Sequence, residues 1–143
     1  MSRLPDDEAE IRIRLLKAAR QVAVHAYDPY SGFRVGAAVQ AGDQVFVGVN
    51  VENASYGLSL CAERAALAAA VAAGAHPITH LALVCLDIPA KGRPEDCLPC
   101  GACRQWLAEL APEVIIYTDG QEAGWRLQEL LPLAFQLRSS RKI

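Results

Sequence analysis

The amino-acid sequence predicts an α/β fold, a three-layer α/β/α sandwich around a mixed five-stranded sheet. Three observations carry this expectation. An amphipathic helical stretch opens the chain, two valine-rich runs follow as a hairpin, and strand-like and helix-like segments alternate from there on. A helix between two strands lets the second strand start in the same direction as the first, so this order gives the sheet a parallel portion.

From Glu8 to about Ala26, apolar Ile11, Leu15, Ala18, Ala19, Val22, Ala23 and Ala26 recur at three- and four-residue spacing among Arg12, Arg14, Lys17 and Arg20. That is the pattern of a helix with one buried face. It is expected to stop before Asp28-Pro29, because proline disfavours helical geometry in the residue preceding it. Tyr30 to Phe33 then form a loop. Arg34–Gln40 and Gln44–Val51 read as antiparallel strands joined through Ala41-Gly42-Asp43. Asn50 to Leu60 carries Asn, Ser and Gly and reads as a loop leading to a helix that begins near Cys61 and stops at Gly74. Ile78–Leu86 is a strand and Ile88–Leu98 a polar, proline-punctuated loop. Pro99 suits the start of a helix over Cys100–Leu110, since its missing amide donor is not needed there. Val114–Tyr117 is a further strand and Trp125–Leu127 a short fifth. There is no internal repeat, and residues 1–143 are expected to form one domain.

Composition narrows the class of function. Hydrophobic residues make up 52% and charged residues 21%, which suits a globular protein and excludes a disordered one. A formal net charge of -2 provides no cationic excess to neutralise phosphates, so polymeric nucleic acid is not an expected partner. The opening MSRLPDDEAE lacks a charged-then-apolar signal pattern, and the alanine-rich run around Ala65 to Ala75 is too short to span a bilayer. A soluble, cytoplasmic protein with no membrane partner is expected.

Five cysteines, three of them in motif positions, read better as thiolate metal ligands in a reducing compartment than as a disulfide framework. Cys61-Ala62-Glu63 and Pro99-Cys100-Gly101-Ala102-Cys103 offer Zn²⁺ three thiolates, one fewer than a closed structural site uses, which leaves a coordination position open. Helix starts concentrate free amide donors and stabilise thiolates, and all three cysteines fall at such starts. Glu63 is a first-turn acid that suits the helix dipole, and it is also a carboxylate placed to move protons at the vacancy. Cys97-Leu98-Pro99-Cys100 is a competing Cys-x-x-Cys, but helix geometry favours the pair Cys100 and Cys103. Cys97 is then expected as a free loop thiol and Cys85 as a core residue of its strand. Three thiolates on Zn²⁺ leave a net negative centre, which the neighbouring Arg64 guanidinium would offset.

The combination of Cys-x-Glu with Pro-Cys-x-x-Cys matches the signature of zinc-dependent cytosine and adenine deaminases. Four segments extend it: PYSGFRVGAAV (29–39), VGVNVENASYGLSLCAERAAL (47–67), PCGACRQ (99–105) and LLPLAF (130–135). Occurring in this order over most of the chain, they resemble the short, three-cysteine, homotetrameric cytidine deaminases of pyrimidine salvage. The resemblance implies a cytidine deaminase-like fold, a Zn²⁺ cofactor on Cys61, Cys100 and Cys103, and Glu63 as the catalytic proton carrier. It also implies that Arg64 hydrogen-bonds the ligand sulfurs, that Asn50 and Glu52 hold the ribose hydroxyls, and that Phe33 lines the pyrimidine pocket. Phe135 and Tyr56 would reach across to a neighbouring subunit's site in a homotetramer. His25, His76 and His80 fall outside the motifs and are expected as surface or packing residues.

The implied reaction is hydrolytic deamination of cytidine, and of 2′-deoxycytidine, to the uridine counterpart and ammonia. A deaminase of an aminopyrimidine antibiotic nucleoside such as blasticidin S shares the zinc motifs, but Asn50-x-Glu52 provides for an ordinary ribose. A reading from another class is a structural zinc module that binds a partner, for which a fourth protein ligand such as Cys97 is required.

Overall fold

In strand β1 (Val35–Ala41), Ala37 and Val39 face one side of the sheet and Ala38 the other, and this alternation divides the core in two. The computed structural model describes residues 4–89 and 92–138; Met1–Arg3 of the N-terminal reading and Ala90 and Lys91 of the loop after Ile88 lie outside them. Among the described residues five strands form one sheet in the order β2-β1-β3-β4-β5, where β2 is Gln44–Val49, β3 Ile78–Cys85, β4 Ile115–Thr118 and β5 Trp125–Arg126. The pairs β1/β2, β1/β3 and β4/β5 are antiparallel and β3/β4 is parallel, so the sheet is mixed.

Helix α1 (Leu4–Ala23) covers one face with Leu15, Ala19 and Ala23, each fully buried and four residues apart, the first two against Ala38, Ala82 and Val84 and the last over Gly36. On the opposite face α2 (Ala62–Ala72) and α3 (Gly101–Leu110) bury Ala66, Leu67 and Leu107 against Val39, Leu81, Leu83 and Ile116. These are the three expected layers. His80 proves to be a packing residue on the α1 side, stacked on Tyr117 with ring centroids 5.9 Å apart and its Nε2 3.1 Å from the Glu8 carboxylate.

Element boundaries differ from expectation where the chain takes tertiary partners. Helix α1 stops at Ala23 rather than Ala26, because the Tyr27 N–H donates to Asn50 O (3.0 Å) and Tyr27 O accepts from the Glu52 N–H (2.9 Å), which requires extended backbone before Pro29 is reached. The hairpin turn is Gly42-Asp43 alone, with Gly42 at φ 60°, and Ala41 belongs to β1. Two 3-10 turns, Tyr56–Leu58 and Pro94–Cys97, interrupt the stretches expected as plain loops. Helix α4 (Leu127–Leu130) follows β5 directly, its start fixed by the Arg126 N–H donating to Glu129 Oε2 at 2.7 Å.

The larger correction concerns two cysteines. Cys97 is not a free thiol: it forms a disulfide with Cys85, their Cα atoms 6.0 Å apart, because the 3-10 turn Pro94–Cys97 folds back against the end of β3. Cys85 accordingly serves as a cross-link rather than as a plain core residue of its strand.

Gly36 on β1 sits directly under α1, where an added Cβ would lie 2.0 Å from Ala19 O and 2.8 Å from Ala23 Cβ. Gly36→Ala is expected to destabilise the fold by about 1–3 kcal/mol or more through overpacking against backbone. Gly57→Ala, with nothing within 4 Å of its would-be Cβ, serves as the matched control and stays within about 0.5 kcal/mol of the parent in urea titration.

Candidate active site

Two helix starts meet on the α2/α3 side of the sheet. Cys61 is the N-cap of α2 and Cys100 the N-cap of α3, and neither thiol caps its own helix, so both sulfurs are free to turn outward to a shared point. Cys103 lies in the first turn of α3 and completes the cluster. Cys61 Sγ is 3.7 Å from Cys100 Sγ, Cys100 Sγ is 3.6 Å from Cys103 Sγ, and all three sulfurs lie within 4.8 Å of one another. Cys103 is buried, Cys61 half-buried and Cys100 exposed, which leaves the cluster open on one side.

The electrostatics of the cluster call for a cation. The hydrogen bond from Cys103, helped by Arg64, holds the Cys61 thiol down at about 5 against the effect of burial. Cys103 is pushed strongly up by its hydrogen bond to Cys61, by burial and by the charge of Glu63, so it keeps its proton while Cys61 sheds one. Three crowded thiolates do not coexist without a metal, and three sulfurs at contact distance are the soft donor set Zn²⁺ takes. Arg64 Nη2 donates to Cys61 Sγ at 3.5 Å and to Ser59 O at 3.5 Å, while its Nε is buried with no partner among the described residues. The residues present therefore fit zinc. Cys97 is engaged with Cys85, so its sulfur is not available as a fourth ligand.

Glu63, two residues after Cys61, is only 4% exposed. Burial, with the negative charge of Cys61 added, pushes its carboxyl up to about 7, against the hydrogen bonds from its own backbone and Cys103. A carboxyl poised near neutrality can both take and give a proton.

The cluster opens into a cavity of about 470 Å³ lined by Phe33, Asn50, Glu52, Cys61, Glu63 and Cys100. Asn50 is buried and joins the strand ends: its Oδ1 accepts from the Val35 N–H (2.9 Å) and its Nδ2 donates to Phe33 O (2.7 Å). Glu52 accepts from the N–H groups of Tyr30 (3.1 Å) and Ser31 (3.0 Å) and from the Ser31 hydroxyl. Those bonds, the Ser31 hydroxyl foremost, hold its carboxyl below the usual range, so it faces the cavity as a carboxylate.

Tyr56 and Phe135, expected to reach a neighbouring subunit's site, lie on the surface and away from the cavity of their own chain. Tyr56 is 75% exposed on a neighbouring depression, edge-on to Tyr30, and Phe135 is 71% exposed beside Trp106 and Leu137. Sequence reasoning missed Ser31 as the support of Glu52, and it missed the disulfide, whose two cysteines line the cavity wall. The even remainder of two cysteines after three ligands is the signal that could have found it.

A three-thiol cluster at paired helix starts, with a buried carboxyl beside it and in front a largely apolar cavity that carries the polar Asn50 and Glu52, defines the class of zinc-dependent hydrolytic deaminases. The family model described as the cytidine and deoxycytidylate deaminase zinc-binding region matches residues 9–118. The chain belongs to that family. It is 43% identical over 129 residues to cytidine deaminase from Halalkalibacterium halodurans, covering 87% of this chain and 93% of that protein. It is 45% identical over 120 residues to cytidine deaminase from Mycobacterium tuberculosis, covering 83% and 85%. The crystal structure of the Mycobacterium tuberculosis enzyme superposes with a TM-score of 0.73 at 43% identity, covering 87% of this chain and 97% of that one. Cytidine deaminase from Burkholderia pseudomallei gives 0.75 at 43% identity, covering 86% and 98%.

Because the three ligand sulfurs are in mutual contact, Cys61→Ser, Cys100→Ser and Cys103→Ser are each expected to lose zinc or most zinc affinity, while Cys97→Ser keeps it. Metal analysis of the purified variants checks this, and zinc loss from Cys97→Ser with retention in the other three overturns the ligand set.

Proposed function

We propose that this enzyme hydrolyses the 4-amino group of cytidine, and of 2′-deoxycytidine, in pyrimidine salvage, with Glu63 as the proton carrier. The observation that carries this reading is the buried Glu63 carboxyl, raised to about 7, in the same cavity as the thiol cluster and the polar pair Asn50 and Glu52. Cys61, Cys100 and Cys103 hold the zinc, which supplies the Lewis acidity that makes water nucleophilic at neutral pH. Arg64 steadies the Cys61 sulfur and offsets its charge.

Glu63 removes a proton from the attacking water and places it on N3 of the base, which leaves C4 electrophilic. Once oxygen has added at C4, Glu63 takes the proton of that new hydroxyl and delivers it to the 4-amino group. The C4–N bond then breaks, ammonia departs, and the C4 carbonyl of uridine remains. Burial suits Glu63 to both transfers, because neither protonation state is held strongly. Asn50 and Glu52 orient the sugar: two of the bonds available to Asn50 are already spent on backbone, which fixes its amide, and Glu52 enters pre-aligned by the Tyr30-Ser31 loop. Phe33 lines the base pocket.

Ammonia release from cytidine by the zinc-loaded protein tests the activity directly. Glu63→Gln is expected to stay folded and zinc-bound yet turn over cytidine at least about a thousandfold more slowly, since general acid–base assistance is worth about 10² to 10⁴-fold and one group serves several transfers. Asn50→Ala and Glu52→Ala also keep zinc and lose cytidine turnover through binding. Near parent turnover in zinc-replete Glu63→Gln refutes the mechanism, and unchanged kinetics in both sugar-side variants removes the nucleoside assignment.

The proposed assembly is a homotetramer in the cytoplasm. Tyr56 and Phe135 support it, since both present exposed rings away from their own cavity and are thus free to complete a neighbour's. No helix among the described residues is long and apolar enough to cross a membrane. Light scattering at micromolar concentration should give a tetramer mass; a fully active monomer contradicts the shared site.

A further inference from the structure

Two proposed metal ligands sit at the start of α3, Cys100 as its N-cap and Cys103 on its first turn, and the two residues that follow, Arg104 and Gln105, both reach the chain's C-terminal stretch. The Arg104 guanidinium donates from Nε to Pro99 O (2.8 Å) and from Nη1 to Leu130 O (2.8 Å). Pro99 is fully buried and immediately precedes the ligand Cys100, while Leu130 is the last residue of α4. Gln105 Nε2 donates to Phe135 O at 2.9 Å. Beyond α4, residues 131–138 have no regular secondary structure; Leu131 still packs against the core, while Leu133 (94%), Phe135 (71%) and Leu137 (80%) are exposed.

We propose that Arg104 and Gln105 act as a clasp that ties this tail to the metal-bearing helix, and that Gln105 is the positioning residue for Phe135. The inference rests on the reading that the Phe135 ring meets the base in a neighbouring copy's cavity.

Three features argue for it. Gln105 grips the backbone of Phe135 and not its ring, so the ring stays free to face a ligand. An irregular tail otherwise samples many positions, and the fraction of time it spends correctly placed divides directly into apparent affinity. Finally, one planar guanidinium holds both the carbonyl before Cys100 and the carbonyl at the root of the tail, so the metal turn and the tail move as one body. Lysine keeps the charge but lacks the fork that reaches two carbonyls at once.

The test compares Gln105→Ala, Phe135→Ala, the double variant and Arg104→Lys as zinc-loaded enzymes on cytidine. Gln105→Ala is expected to raise KM about tenfold with kcat within about twofold, and with zinc content and oligomer mass unchanged. The double variant should be no worse than Phe135→Ala alone, the non-additivity of two residues acting through one contact. Arg104→Lys shows the same KM rise and also gives up zinc faster to a competing chelator. If Phe135→Ala raises KM while Gln105→Ala leaves it at the parent value, or if the two effects simply add, the clasp is wrong and the role of Phe135 stands. If Phe135→Ala itself leaves KM unchanged, the role of Phe135 and the clasp fall together. Parent-like chelator resistance in Arg104→Lys overturns the link to the metal turn.

Discussion

The structure depends on one convergence: the N-termini of α2 and α3 are brought so close that Cys61 and Cys100 touch across 39 residues of sequence. Nothing in either helix alone produces a metal site. Each contributes a cap position with extended backbone, from which a sulfur can leave the helix axis, and the sheet beneath sets where the two caps meet. The parallel pairing of β3 with β4 returns the chain through α3 on the same face as α2, which puts both starts at one end of the sheet.

That convergence also fixes the chemistry around it. With Cys61 at the cap, Glu63 falls on the first turn facing the core, and its burial follows from helix geometry together with the packing of Ala62 and Ala66. Arg64, one residue on, points back to Cys61 and Ser59. One sulfur of the cluster, a carboxyl kept near neutrality and a guanidinium thus come from the four consecutive residues 61–64, and the start of α3 supplies the other two sulfurs. The sugar side of the cavity is built independently, from the ends of β1 and β2 pinned together by the Asn50 amide.

Much of this was legible in the chain because it is encoded locally. Helix starts, ligand spacing and the valine-rich strands are properties of short windows, so Cys61, Cys100 and Cys103 could be placed together without knowing the fold. What was not legible lies across longer separations. Helix α1 ends early because Tyr27 pairs with Val51, a partner 24 positions away. The four-residue α4 is too short to show a period. Ser31 supports Glu52 from 21 residues off, and Cys85 finds Cys97 because a loop folds back, which spacing alone does not reveal. Tyr56 and Phe135 are exposed, and no local pattern separates such rings from core aromatics, so the expectation that they reach a neighbouring copy came from the family resemblance alone.

Gly48 gives the convergence its mechanical reference. A Cβ there would lie 2.5 Å from both Ala62 O and Ala66 N, so the first turns of α2 rest on β2 backbone against backbone. A side-chain interface can be re-cut by changing rotamers, and its height above the sheet drifts as core residues are exchanged; a backbone seat has no such freedom. The reactive end of α2 is therefore mounted on a rigid datum, while the far end, around Leu67 and Ala70, is held by ordinary interdigitation. Side chains around Leu67 and Ala70 can repack while the backbone seat at Gly48 keeps the height of the sulfur and carboxyl that α2 presents.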